Sequence, residues 1–223
     1  MAVKVPRSKK EMNKLLSCIY FLTFYFSFSQ NIFAQSPYFE WVCTVGGIGA
    51  DDIAHDVETD PFGNVYSVGL FSTPTDFDPG PGTILITPLG WAIFIQKLDP
   101  NGNLVWIKHF DSGYADGAFD IASDNLGNIF VTGRFHQTID FDPGPGVFNL
   151  VASAPASSPD VFVLKLDYGG NFVWAKRFGS SSIQYSLGIT TDFLGNILII
   201  GLYEGTCDFD PDIATFNLTS AGM

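Results

Sequence analysis

Pairs of carboxylates two positions apart are the chemical unit this sequence repeats. Asp76 and Asp78 stand in "DFDPGPG", Asp140 and Asp142 in a second "DFDPGPG", and Asp208 and Asp210 in "DFDPDIA". Each pair offers hard oxygens. Calcium takes six to eight of these from carboxylates, carbonyls and water, so the six Asp are the candidate metal residues and Ca2+ the candidate cofactor. The competing reading gives each Asp a structural task, accepting hydrogen bonds from turn amides. In an extended chain Phe77, Phe141 and Phe209 point away from their flanking Asp and anchor inward. Pro79-Gly80 and Pro143-Gly144 suit the centre of a type II turn, which Asp212 in the third copy weakens.

Other reactive residues do not recur. His55, His109 and His136 occupy unrelated repeat positions, and His55 stands where Phe119 and Leu187 stand in the other copies. "DDIAHD" (Asp51–Asp56) gathers three Asp and a His without a familiar ligand spacing. There is no G-x-S-x-G, H-E-x-x-H, C-x-x-C or phosphate-loop motif. Ser180–Ser182 have no evident base. A glycosidase needs one unique carboxylate pair at a set distance, whereas these pairs return with each repeat. The sequence reads as no enzyme, with no catalytic or cofactor-binding residues. Cys43 and Cys207 lie at unequal repeat positions and define no disulfide framework.

The elements that must hold these residues come from repetition. Trp41, Trp106 and Trp174 are spaced 65 and 68 apart, and Gly63, Gly127 and Gly195 are spaced 64 and 68 apart. "DPFGNVYSVGLF" from Asp60 returns from Asp124 and Asp192, and "FIQKLDPNGNLVW" from Phe94 returns from Phe162. The segments are β-branched and aromatic, with no helical period. "IAHDVET" (Ile53–Thr59) alternates as a strand, His55 and Val57 on one side and Ala54 and Asp56 on the other. Asp-x-x-Gly-Asn separates the strands at Asp60, Asp99, Asp124, Asp167 and Asp192 and reads as a hairpin joint, Gly supplying positive φ and Asp accepting turn amides. Four such strands make a propeller blade. The DFDPG segment, between second and third strands, reads as an extra hairpin in which Ile84 and Ile86 match Phe148 and Leu150, and Phe216 and Leu218. The repeated Trp read as packing between blades, and Trp91, absent from the other copies, reads as exposed.

The signatures "DPFGNVYSVGLF", "DFDPGPG" and "FIQKLDPNGNLVW" resemble the bacterial SBBP-type β-propeller repeat. That resemblance implies an extracytoplasmic protein, commonly of a bacterial envelope and with a C-terminal sorting domain. The expected fold is all-β. Blade one spans 52–110, blade two 117–178 and a partial blade three 185–223, so the ring is incomplete and the chain reads as truncated. Tyr38–Val45 is expected as an orphan outer strand ahead of blade one.

Residues 1–35 have a different character: a basic start, an apolar run from Leu15 to Phe28, and "FAQSP". This pattern is a secretory signal peptide, too short for a confident membrane span, with a retained anchor as the alternative. The whole chain carries a formal charge of −12. Without residues 1–35 it keeps six of 11 basic and 22 of 23 acidic residues, a balance of −16. Such a surface repels nucleic acid and anionic lipid. The expected localisation is secreted, periplasmic or cell-surface. The expected function is a scaffold or interaction module for an unknown protein or glycan partner. The alternatives are a calcium- or glycan-binding surface module, with Trp91 and Tyr114 as the aromatic hints, or a fragment of a larger enzyme.

Overall fold

A computed structural model describes residues 41, 42, 44, 46, 47, 52–154, 158–212 and 214–221. The expected signal peptide over residues 1–35, Tyr38–Glu40, Cys43, Val45 and Asp51 lie outside the described residues, and with Cys43 the question of its pairing with Cys207. Every described element is a strand. The first repeat holds β1 (Gly46–Gly47), β2 (Ile53–Thr59), β3 (Val65–Phe71), β4 (Thr75–Asp76), β5 (Leu85–Ile86), β6 (Ala92–Leu98) and β7 (Leu104–Phe110). The second holds β8 (Gly117–Ser123), β9 (Ile129–Phe135), β10 (Thr138–Asp140), β11 (Asn149–Val151), β12 (Asp160–Leu166) and β13 (Phe172–Phe178). The third holds β14 (Gln184–Thr191), β15 (Ile197–Tyr203), β16 (Thr206–Asp208) and β17 (Asn217–Thr219).

Two antiparallel four-stranded sheets result, β2-β3-β6-β7 and β8-β9-β12-β13. The third repeat contributes β14 paired with β15, and its insert hairpin β16-β17. These are propeller blades, and the ring is not closed among the described residues. The third strands β6 and β12, flanked on both sides, are buried almost throughout, while β7 and β13 are half-exposed outer strands. That contrast explains the apolar runs "AIFI" and "VFVL": a strand covered on both faces has no polar side to alternate with, and the buried Gln96 and Lys97 that follow each find a carbonyl partner.

The five joints share one construction. Gly63, Gly102, Gly127, Gly170 and Gly195 all have positive φ, between 76° and 83°. In each, the amide of the Asn bonds the Asp carboxylate, as Asn64 N to Asp60 Oδ1 at 3.0 Å. The Asn side-chain amide donates to the same carboxylate, at 2.7 Å for Asn64 and Asp60. Burial works to raise the Asp60 carboxyl, but these bonds and that from the Tyr66 hydroxyl outweigh it and hold it below the usual range.

The first strand departs from simple alternation. His55, Phe119 and Leu187 each fall at a register shift between the flanking residues, Ala54/Asp56, Ala118/Asp120 and Ser186/Gly188. An extra residue in one strand bends it and switches the faces of the residues after it. The strict two-residue alternation expected across His55 is therefore corrected. His55 is the bulged residue, and its ring meets Phe119, the bulged residue of the next blade, edge-on at 5.2 Å.

The strand expected over Tyr38–Val45 falls mostly outside the described residues; Trp41, Val42 and Thr44, which are described, are not in a strand. Instead β1 pairs with β4 and extends the first insert to three strands. Trp41 still behaves as an outer-strand residue of a preceding blade: its indole Nε1 donates to Pro100 O at 3.2 Å, and a Cβ on Gly102 would lie 3.1 Å from the ring. Trp106 repeats the arrangement on Gly170 of the next blade, 2.9 Å from the place of a Cβ. Trp41 and Trp106 thus press on the glycine turns Gly102 and Gly170.

Burial concentrates between blades. Tyr66, Val68, Ile93 and Ile95 of blade one pack with Ala118, Ile121 and Val131 of blade two. A second interface joins Ala122, Phe130 and Val163 to Ile189 of the third repeat. Full burial of one such side chain contributes about 1.5–3 kcal/mol, so adjacent blades stabilise each other.

Candidate interaction surface

The expected metal residues sit in the insert hairpins, and each is tied into a turn. Asp76 Oδ1 accepts the amides of Asp78 (3.1 Å) and Ile84 (2.8 Å), and Asp78 Oδ1 that of Gly80 (2.8 Å). Asp140 Oδ1 does the same for Asp142 (3.0 Å) and Phe148 (2.8 Å), and Asp142 Oδ1 for Gly144 (2.8 Å). In the third copy Asp208 Oδ1 accepts from Asp210 (3.1 Å) and Phe216 (2.8 Å), and Asp210 Oδ1 from Asp212 (2.8 Å). Among the described residues no group of three or more His, Cys, Asp or Glu side chains is arranged to hold a metal ion.

The type II turn at Pro79-Gly80 and Pro143-Gly144 is corrected. It requires a positive φ at the glycine, and neither Gly80 nor Gly144 has one. The Asp side chains define the loop instead. Asp212 therefore replaces the glycine without weakening the turn, and its amide makes the same bond to Asp210.

Behind each insert lies an aromatic set. Phe77 meets Phe71 at 5.1 Å and Phe94 at 5.4 Å, and Phe141 meets Phe135 at 5.6 Å and Phe162 at 4.9 Å. Phe94 and Phe162 come from the third strand and cross Gly69 and Gly133 of the second, where a Cβ would lie 2.8 Å from either ring. In the third repeat Tyr203 meets Phe209 at 4.9 Å, and among the described residues no third-strand ring lies beside them. A groove of about 410 Å3 opens there, lined by Val161 and Phe178 of blade two and by Ile199, Gly201, Tyr203 and Phe209.

β15 is apolar on both sides, and Ile200 and Leu202 also line this groove. Leu198, Ile200 and Leu202 occupy the places of Tyr66, Val68 and Leu70, which blade two buries, and Ile200 is 68% exposed. Phe216 is 60% exposed. Its counterpart Phe148 packs tilted against Phe172 of a fourth strand at 4.8 Å.

Acidic side chains rise along the first strands, and bulge geometry decides their use. Asp56 Oδ2 accepts the Ile121 amide of the next blade at 3.1 Å, and Glu58 accepts the Ser123 hydroxyl at 2.9 Å. Asp120 in turn accepts the Ile189 amide. Desolvation, then the hydrogen bond and charge of Asp56, push the Asp120 carboxyl up to about 6. Sequence alternation alone missed this rung, although the recurrence of Asp56 and Asp120 after the bulged residue was its signal.

The remaining residues singled out in the sequence serve the frame. Asp52 accepts the Gly47 amide (2.6 Å) and the Thr75 hydroxyl (3.3 Å), so the described Asp52, His55 and Asp56 of "DDIAHD" make separate contacts. Asp116, its counterpart, is buried and accepts the Ser112 hydroxyl (2.6 Å) and the His136 amide (2.8 Å). His109 lies 6.5 Å from the Phe71 ring. Ser180 and Ser182 hydrogen-bond each other at 3.1 Å, and Ser180 bonds Gln184. Trp91 is half-buried, not exposed. Its amide donates to Tyr114 O and its carbonyl accepts from Asp116 N, which threads it into the joint between blades one and two. Tyr114 remains partly exposed, stacked on His136 at 6.1 Å. Lys97 is buried, donates to Tyr168 O at 3.0 Å and lies 3.2 Å from the Tyr168 ring centre, so burial lowers its pKa against the pull of Tyr168 and Asp60. Among the described residues no helix is long and apolar enough to cross a membrane.

Sheets of four antiparallel strands, packed face to face by repetition, define a β-propeller-like repeat protein. The chain is similar to an uncharacterized WD repeat-containing protein of Acanthamoeba polyphaga mimivirus, with 26% identity over 186 residues, 74% of this chain and 13% of that protein. The chain thus spans a small part of the length of that relative. No family model matches it.

Proposed function

We propose that the chain is an extracytoplasmic, non-enzymatic interaction module of the SBBP-type propeller class. The observation that carries this reading is the apolar side of β15, Leu198, Ile200 and Leu202, which stands where each complete blade receives its neighbour. Strong acidity with few basic residues supports a partner that is neither nucleic acid nor an anionic membrane. The polar side chains support it too, since they recur as turn and blade staples. WD-repeat propellers, the description given to the mimivirus relative, offer a parallel for a scaffold. The signal-like N-terminus supports secretion or surface display. A cation in the DFDPG inserts is a separate proposal, resting on the threefold recurrence of the Asp pair.

The test uses the full chain with a photo-crosslinking residue at Ile200 or at Phe193, an exposed turn residue outside the apolar side. In the native host a discrete adduct is expected from Ile200 and not from Phe193. Equal labelling at both positions, or none at either, overturns the interaction reading. N-terminal sequencing of the mature protein checks export, which predicts a new terminus near Ala34 or Gln35. Recovery of an unprocessed chain in the cytosol removes it.

A further inference from the structure

We propose that His55, Phe119 and Arg134, on β2, β8 and β9 of blades one and two, form a site for a single carboxylate of a peptide, with Arg134 as its anchor. The inference rests on the interaction reading and names the partner's chemistry, at a place apart from β15. In a repeat protein a residue common to every copy holds the frame, and one that departs from its copies is open to another task. Arg134 stands where blade one has Leu70 and the third repeat has Leu202, and Leu70 is buried. His55 stands where the other copies have Phe119 and Leu187, and Tyr185 where they have Ile53 and Gly117. The fold brings these departures together. The His55 and Phe119 rings meet at 5.2 Å, and the Arg134 guanidinium carbon lies 5.6 Å from the Phe119 ring centre and 5.9 Å from that of Tyr185.

Arg134 is held in place but forms no ion pair. Its Nε donates to Ala115 O at 3.1 Å, which orients the guanidinium and leaves its two terminal nitrogens without an acceptor among the described residues. Lys97, Lys176 and Arg177 each meet a carboxylate, of Asp60, Asp212 and Asp160. The acidic groups of the neighbouring strands are engaged elsewhere. Asp56 accepts the Ile121 amide, Asp120 the Ile189 amide, and Asp116 the Ser112 hydroxyl and the His136 amide. Positive potential therefore collects beside Phe119. Burial first, and then the charge of Arg134, lower the His55 pKa, so at neutral pH the imidazole stays uncharged next to the guanidinium.

Two coplanar terminal nitrogens match the two oxygens of a carboxylate. The half-buried rings of Phe119 and Tyr185 offer apolar surface beside that fork, and an Arg among aromatic rings is the composition of an interface anchor. The rest of the chain sets the remaining chemistry. Beyond residue 35 six basic residues stand against 22 acidic ones, a balance of −16. That field draws in neutral or basic segments and repels polyanions, so one acid is accepted at Arg134 and further acids beside it are penalised. The ligand is thus a peptide segment with a lone carboxylate among neutral or basic residues. The carboxylate comes from an Asp or Glu side chain or from a chain terminus.

The probes are acetyl-Lys-Leu-Asp-Leu-Lys-amide, the same peptide with Asn for Asp, and acetyl-Lys-Lys-Leu-Leu with a free C-terminal carboxylate. Each is titrated into the full chain and followed by NMR. Saturable shift changes are expected at the Arg134 side chain and at the His55 and Phe119 rings with one or both carboxylate peptides, and the tighter of the two names the source. The Asn peptide should bind at least about tenfold more weakly, the loss expected when a charged hydrogen bond is removed. Arg134→Leu carries the residue of the other two repeats, and its urea midpoint reports that it folds. It should lose the same factor, and Arg134→Lys, charged but without the fork, should fall between. No saturable binding of either carboxylate peptide, equal binding of the Asp and Asn peptides, binding indifferent to Arg134→Leu, or glucuronate binding as tightly as the peptides overturns the proposal. The Ile200 adduct is read on β15 with no peptide added, so a failed titration leaves the broader reading standing, and a missing adduct does not alter the titration.

Discussion

Replacing Asp56 by Asn should make the protein more stable at neutral pH. Asp120 is raised from its ordinary 3.8 to about 6, by burial first and then by the Asp56 carboxyl beside it. A carboxyl raised by folding favours the protonated form in the native state. Its contribution is therefore complete below the unfolded value and is lost as pH rises through about 6. A shift of about two units corresponds to about 3 kcal/mol in full, but the pair is half-exposed and screened, and desolvation survives the substitution. About 1 kcal/mol is the share that Asp56 removes at neutral pH. The introduced carboxamide would retain an oxygen for the Ile121 amide and gain an N–H for Asp120, so geometry changes little. Urea unfolding of both proteins from about pH 4 to pH 7 is the assay. The reading is the difference between the two: Asp56→Asn should gain on the wild type as pH rises through about 6 and stand above it at pH 7. A variant equally or less stable at pH 7, with no gain on the wild type as pH rises, would show that Asp56 does not raise the Asp120 carboxyl.

Three further outcomes rest on packing and turns. Phe141→Ala, at a fully buried ring touching Phe110, Phe135 and Phe162, should cost about 3–5 kcal/mol in urea unfolding, while Phe216→Ala should change stability by less than about 0.5 kcal/mol. Asp140→Ala strips acceptors from the Asp142 and Phe148 amides and should cost about 1–2 kcal/mol, and millimolar calcium should leave the wild-type Tm unchanged if turn amides are the whole task of these carboxylates. A calcium-dependent rise in Tm that Asp140→Ala abolishes would instead establish a cation site. Gly195→Ala, with positive φ and open space around it, should cost about 1 kcal/mol, and Gly170→Ala more, because its Cβ also meets Trp106; equal costs would deny the Trp–turn contact.

Where one interaction repeats, the sequence discloses it, and where two elements share a task it does not. The blade, the Asp-x-x-Gly-Asn joints and the inward Phe of each insert were legible because local chemistry dictates them three or more times over. Gly in a hairpin joint needs positive φ, and a strand covered on both faces carries a run of apolar residues without alternation. The bulge at His55, Phe119 and Leu187 was not legible, because a bulge changes pairing and leaves composition alone. Its consequence was hidden with it: alternation counted through the bulge sends Asp56 and Asp120 to the wrong side, and the carboxyl rung between blades disappears. The Pro-Gly pair misled in the opposite way. Type II geometry is what Pro-Gly does when the backbone must close its own turn. In "DFDPGPG" the preceding Asp close it first, so the glycine is free to be Asp212 in the third copy. The acidic pair and the turn, which looked like rival explanations, are one device, and a cation would have to work with the carboxylate oxygens that this device leaves over.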